Sequence, residues 1–184
     1  ARAWQGGDTA NIAIGQGDIL VTPLQMCYAY CGLVNGAVEM WPHVLLDVLS
    51  NQTREPIITA EQKPSCEVSI SQDILSFVND ALVGVVNETY VGDYFAGLPV
   101  TVMGKSGTGE AGDDDDNPHA WFCAAAPAED PTYVVAAIVE HGGGGGYVAS
   151  NVCRGVLGAV YGVEMTDPVS ILMTREVSTE QVMD

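Results

Sequence analysis

Basic residues are scarce in this sequence. Six Lys and Arg stand against 24 Asp and Glu, giving a formal charge of −18 over 184 residues. So acidic a surface repels phosphate backbones and anionic lipid headgroups, which argues against nucleic acid as a partner. Long hydrophobic runs are missing too. The clearest apolar stretch, Tyr133 to Val139, falls far short of the about 20 residues needed to cross a bilayer. The first residues, Ala1 to Gln5, have no apolar core of the kind found in signal peptides. An export or anchoring segment is therefore expected outside this chain. Metal-ligand sets are also lacking. Of five cysteines, Cys27 and Cys31 are four apart on an expected helix, but no Cys-x-x-Cys or paired His completes a tetrahedral set. The odd count and apolar neighbours of Cys27, Cys31, Cys66, Cys123 and Cys153 predict buried free thiols rather than a disulfide framework. Internal repeats are absent.

What is present is material for a core. Hydrophobic residues make up 47% and charged residues only 16%, too apolar for wholesale disorder and enough for one domain or a large piece of one. Gly6 to Gly17, rich in Gly, Asp, Thr and Asn, reads as a loop. Thr22-Pro23-Leu24-Gln25 then combines a capping hydroxyl, a proline suited to the first helical position and a Gln completing a capping box. Leu24, Cys27, Tyr28, Cys31 and Val34 follow at helical spacing, and Gly36 is a natural stop. Trp41 to Glu67 predicts short irregular strands, such as Pro56 to Thr59. A second helix is expected from Ser69 or Ser71, with Gln72 as a box partner to Ser69 and an inner stripe of Ile74, Leu75, Val78, Leu82, Val85 and Val86. Gly92 to Pro99, with Tyr94 and Phe95 inside it, reads as a loop.

Three strands are expected next: Val100–Met103, Trp121–Ala125 and Tyr133–Glu140. The short Pro127–Pro131 connection suits antiparallel neighbours. Gly142 to Gly146 reads as a flexible strand-to-helix loop. A last helix, about Val148 to Tyr161, is expected to turn Val152, Val156, Leu157 and Val160 inward. The domain is taken as 1–164, and 165–184 as a loosely held acidic tail.

The most informative stretch is Gly104-Lys105-Ser106-Gly107-Thr108-Gly109. A P-loop needs glycine where Pro99 stands and a helix after the motif. The dinucleotide pattern fits Gly107 to Gly112, but Asp113–Asp116 and Pro118 follow where a helix should open. A nucleophile elbow fails because its fifth residue is Thr108. An acyl-transfer site for a peptide carboxylate asks for something else. It needs a cation, hydroxyls to hold the carboxylate, and a backbone N–H aimed at the developing oxyanion. Lys105, Ser106 and Thr108, alternating along an edge strand, supply these, and Gly107 lets a substrate backbone approach.

In that context the motif resembles the Lys-Thr/Ser-Gly element of class B penicillin-binding proteins. Gly7-Asp8-Thr9-Ala10-Asn11 through Ala13-Ile14-Gly15-Gln16-Gly17, Val21-Thr22-Pro23-Leu24-Gln25, and Asn35-Gly36 with Pro42 are similar to the family's segment before it. His119-Ala120-Trp121-Phe122, Ala126-Pro127 and Val139-Glu140-His141-Gly142-Gly143 resemble its two following strands. The resemblance runs from about Gly6 to Gly162. It implies a mixed α/β fold, an antiparallel sheet flanked by helices, here incomplete. It also implies a D,D-transpeptidase that cross-links peptidoglycan stem peptides through an acyl-serine intermediate and is blocked by β-lactams. No cofactor or metal is called for. Lys105 would join the proton-shuttling network, and Ser106 and Thr108 would hold the carboxylate of substrate or β-lactam. The Thr108 N–H would be an oxyanion donor, with Gly107 beside the substrate and Glu110 at the rim.

The family also needs Ser-x-x-Lys and Ser-x-Asn. Three residues before the two lysines, Lys63 and Lys105, stand Ala60 and Val102, and no Ser-x-Asn occurs. The chain is thus expected to be the later part of the domain, inactive alone, from an extracytoplasmic, membrane-anchored protein. Apolar surface bared on the helices near Thr22 and Ser69 is expected to drive self-association. A non-catalytic β-lactam sensor or wall-binding module, and a P-loop nucleotide binder, are the rivals. His119 and His141 read as structural hydrogen-bonders. Asp113–Asp116 reads as a solvated turn rather than a calcium loop, and Trp121 and Phe122 as packing.

Overall fold

The computed structural model describes residues 3–110 and 117–164. The aspartate run 113–116 and the acidic tail 165–184 therefore lie outside the described residues. A three-stranded antiparallel sheet, in the order β5–β6–β7, organises the rest. Its strands are β5 (Met103–Gly109), β6 (His119–Ala126) and β7 (Tyr133–Val139). Helix α5 (Val148–Val160) packs against β6 and β7 on one face, and α2 (Pro23–Val34) and α3 (Gln72–Asn87) cover the other.

Strand β6 explains why three helices can lie so close. Ala120, Phe122, Ala124 and Ala126 join one cluster with Ala149, Cys153 and Leu157 of α5. Ala125, on the alternate face, joins Met103 and Leu82, with Tyr30 and Leu33 packed against them. All four alanines of β6 are fully buried, and from Ala124 to Ala126 both faces of the strand are nearly flat and admit helices. Phe122, also fully buried, fills the remaining space against Phe95, with ring centroids 5.7 Å apart.

Helix α2 follows its sequence closely. The Thr22 hydroxyl accepts from the Gln25 amide and the Gln25 side chain accepts from the Thr22 amide, while Gly36 takes φ 68° just past the end. Of the two expected starts for helix α3, Ser71 rather than Ser69 is the cap, its hydroxyl accepting from the Ile74 amide. Leu75, Leu82 and Val86 are buried as expected, but Ile74 is exposed. Between the helices, β1 (Val38–Met40) pairs with β4 (Pro64–Glu67), and β2 (Asp47–Leu49) with β3 (Pro56–Thr59).

Five expectations need correction. Residues Gly6–Ala13 form helix α1, not a loop. No residue of α1 is buried, and its start is held locally: Asp8 accepts from the Gln5 amide at 2.7 Å and Trp4 donates to the Thr9 hydroxyl at 2.9 Å. The stretch Gly92–Phe95 is a helical turn, α4, because Tyr94 and Phe95 are buried and pull it onto the core. The first strand of the sheet begins at Met103 rather than Val100. The carbonyls of Thr101 and Val102 are taken by the Ala128 amide and the Asn87 side chain, so they cannot join the ladder. In α5 the inward stripe is Ala149, Cys153 and Leu157; Val152, Val156 and Val160 lie one residue over and are exposed. Finally, Cys66 is exposed and Cys27 and Cys31 half-buried, so only Cys123 and Cys153 are buried thiols.

Candidate functional site

The Lys-Ser-Gly motif lies inside strand β5, not after it. Residues Met103 to Gly109 pair with Ala125 back to His119 without a register shift. That regularity is what makes a glycine-rich segment a strand, since its own propensity is poor. A strand through Lys105 and Ser106 also removes the P-loop reading, which needs a helix to begin there.

Residues directly opposed in an antiparallel pair share a face. Lys105, Gly107 and Gly109 face the same way as Cys123, Trp121 and His119, while Ser106 and Thr108 share a face with Phe122 and Ala120. The glycines record this packing. A Cβ on Gly107 would sit 3.2 Å from Trp121 Cβ, and one on Gly109 would sit 3.9 Å from the indole. On the other face, a Cβ on Gly104 would press to 2.8 Å from the Phe122 ring. Lys105 and Thr108 are exposed and Ser106 and Gly107 half-buried; the Lys105 ammonium donates to the Ser106 carbonyl at 2.8 Å. Glu110 follows immediately, exposed, at the end of the strand.

Among the described residues nothing pairs with the far side of β5, which is an edge strand. The direction of its peptide groups follows from one contact and the alternation of a strand. Gln16, outside the sheet, donates from its side chain to the Thr108 carbonyl at 3.0 Å. A strand residue points its N–H and C=O to the same side, so the Thr108 N–H also faces away from β6. Gly107, one residue back, turns its groups toward Trp121. Ser106, Gly107 and Thr108 therefore present two half-exposed or exposed hydroxyls and a free-edge N–H within one strand segment, and Lys105 adds a cation from the opposite face.

Two supports of this segment were missed in reading the sequence. Gly145, read as part of a flexible loop, is buried against β5 and β6, where a Cβ would run into the carbonyls of Gly107 and Trp121. Gln16 stands between Gly15 (φ 74°) and Gly17 (φ 97°), and its own amide donates to the Asn11 carbonyl at 2.9 Å. The paired glycines around one polar side chain are the signal that was available.

The remaining candidates are structural. His119 accepts from the His141 amide at 3.0 Å, and the His141 ring meets the Asn117 carbonyl at 3.2 Å, tying the start of β6 to the end of β7. Ser150, fully buried, donates to the Gly146 carbonyl at 2.7 Å. Burial pushes the thiols of Cys123 and Cys153 up to about 12, and burial with the neighbouring Cys27 raises that of Cys31. None of these three thiols is a thiolate near neutral pH. Among the described residues no three His, Cys, Asp or Glu side chains gather as a metal site, and no helix is long and apolar enough to cross a membrane.

Comparison with known proteins matches residues 1–158 to the penicillin-binding protein transpeptidase domain. The peptidoglycan D,D-transpeptidase MrdA of Escherichia coli K12 is 30% identical over 111 residues, 59% of this chain and 17% of that protein. The peptidoglycan D,D-transpeptidase PbpA of Mycolicibacterium smegmatis is 32% identical over 121 residues, 65% of this chain and 24% of that protein. Among solved structures, penicillin-binding protein A from M. tuberculosis, as a ceftriaxone acyl-enzyme complex, superposes with a TM-score of 0.72 at 28% identity. That match covers 81% of this chain and 34% of the structure. The chain thus spans a quarter or less of the length of these two curated relatives.

Proposed function

This chain belongs to the penicillin-binding protein transpeptidase family, and on that premise we propose that it forms one wall of the active site of a peptidoglycan D,D-transpeptidase. The observation that carries the reading is the unpaired edge of β5. There the Thr108 N–H, the Ser106 and Thr108 hydroxyls and Lys105 lie within four residues beside a glycine.

The chemistry these groups perform is electrostatic and positional. A stem peptide, or a β-lactam in its place, lies along β5. Its carboxylate accepts hydrogen bonds from the Ser106 and Thr108 hydroxyls, and Gly107 leaves room for its backbone. As the free hydroxyl of the nucleophilic serine attacks, negative charge builds on the carbonyl oxygen, and the Thr108 N–H stabilises it there until the leaving amine departs and the acyl-serine forms. One such donor is worth about 10²–10³ in rate. Lys105 supplies a positive potential and holds protons in the hydrogen-bonded network. Glu110 borders the entrance. The serine comes from a Ser-x-x-Lys element that this sequence does not contain. The longer protein works outside the cytoplasmic membrane, anchored by another of its parts.

The test is acylation of the full-length protein by a labelled penicillin. Lys105→Ala lowers the acylation rate by about 10² or more with the fold intact. A near-normal rate in that variant removes Lys105, and with it this reading of the motif.

A further inference from the structure

Gln16 and Thr108 are 92 residues apart in sequence, yet the Gln16 carboxamide donates to the Thr108 carbonyl at 3.0 Å. We infer that Gln16 is a positioning residue for the oxyanion donor: it fixes the peptide planes at Thr108 on the unpaired edge of β5, so that the Thr108 N–H points at the reacting carbonyl. The inference rests on the transpeptidase reading above.

Physical need comes first. On its inner side β5 is held by the β6 ladder, with Gly107 tied to Trp121. On its outer side, among the described residues, no strand fixes the peptide groups. The segment is Ser-Gly-Thr-Gly, and the glycines at 107 and 109, although laddered to β6, restrain the peptides on either side of Thr108 less than side-chained residues would. A donor that must meet a developing charge cannot tolerate this, because misplacement of about 1 Å can lower a rate by about 10². One hydrogen bond to the Thr108 carbonyl removes the remaining freedom: it holds the 108–109 peptide directly and, through the Thr108 dihedrals, aligns the 107–108 peptide whose N–H does the work.

Gln16 is built to deliver that bond. Its main chain is pinned where α1 ends, the Gln16 amide donating to Asn11 at 2.9 Å and the Gly15 amide to Ile12 at 2.9 Å. Gly15 and Gly17 take φ 74° and 97°, a turn that L side chains rarely adopt. Gly17 is also close-packed, since a Cβ there would lie 3.2 Å from that of Asn11. A rigid turn therefore carries a half-buried side chain to the edge of β5. The same contact gives the otherwise unburied helix α1 a reason to be ordered: it is the bracket that carries Gln16.

Gln16→Met tests this, because it keeps the length and removes the donor. Three measurements on the variant act together. In the full-length protein the penicillin acylation rate constant falls about tenfold, while the dissociation constant of the preceding complex stays within about twofold of wild type. The melting temperature is unchanged, as fits a surface contact. In isotope-labelled chain, the Thr108 carbonyl carbon and the Gly109 amide, which share one peptide unit, shift in the NMR spectrum ahead of other β5 resonances. An unchanged acylation rate constant, or a loss confined to the dissociation constant, overturns the inference. If Lys105→Ala acylates normally as well, the transpeptidase reading has failed; if Lys105→Ala is impaired and Gln16→Met is not, only the role of Gln16 has.

Discussion

Gly145 lies directly against the backbone of Gly107. A single added carbon at Gly145 would contact the Gly107 carbonyl and amide nitrogen and the Trp121 carbonyl together. The loop after β7 and the strand that carries the motif thus meet backbone to backbone, with no side chain between them.

Gly145→Ala is therefore expected to destabilise the chain by about 1–3 kcal/mol, because the obstacle is main chain that cannot rotate away. Gly144→Ala, where the new carbon meets only the Tyr147 ring at 3.4 Å, should stay within about 0.5 kcal/mol of wild type. Urea unfolding of the two variants side by side measures the difference. Equal midpoints would show that the loop can withdraw from β5.

This chain alone should form no covalent adduct with penicillin, since neither of its two lysines follows a serine at the required spacing. Intact mass after incubation checks it. A stoichiometric penicilloyl adduct would mean that a serine of this chain is acylated and would refute the proposed division of labour.

Thr108→Val in the full-length protein should weaken complex formation by roughly tenfold to a hundredfold, the loss of one hydrogen bond to a charged group. The acylation step itself should change little, because the backbone N–H survives. Stopped-flow acylation separates the two effects, and a loss residing in the chemical step would assign the hydroxyl a different role.

Cys123 and Cys153 make stability fall in alkali. Their folded thiols are raised to about 12 by burial, whereas unfolded thiols ionise near pH 8.5. Above that pH the unfolded chain releases protons that the folded chain retains, so folding weakens as pH climbs toward 12. The contribution is fully present below about pH 8.5. Melting temperatures from pH 7 to 11 for wild type and Cys153→Ala should show a steeper decline in wild type. Parallel curves would mean that Cys153 does not titrate with unfolding.

Leu20, Leu24, Val44, Leu46, Ile74 and Phe77 are each more than half exposed. Contiguous apolar patches above a few hundred Å² are uncommon on monomers, and the chain is expected to cover these side chains by self-association as its concentration rises. Light scattering decides, and a monodisperse monomer that binds no dye sensitive to apolar surface would count against it.

The sequence by itself determined the parts whose physics is local. Thr22, Pro23 and Gln25 announced α2 because a cap, a fixed φ and a reciprocal hydrogen bond are all made within one turn. Lys105 to Thr108 stood out as a candidate segment because a cation, two hydroxyls and a glycine are consecutive. Pro56–Thr59 was legible for the same reason. Tertiary structure decided what depended on distant partners. Asn87 and Ala128 took the carbonyls before Met103 and moved the start of β5. The face of β6 formed by Ala120, Phe122, Ala124 and Ala126 took Ala149, Cys153 and Leu157 of α5 and left the valines one residue over exposed, because the helix's rotation is set by that contact. Gln16 and Gly145 acquired their places only when segments many residues away came to rest on one strand. A hydrogen bond between positions 16 and 108 leaves no period and no spacing in the sequence, since its geometry exists only after the chain has closed the loop between them.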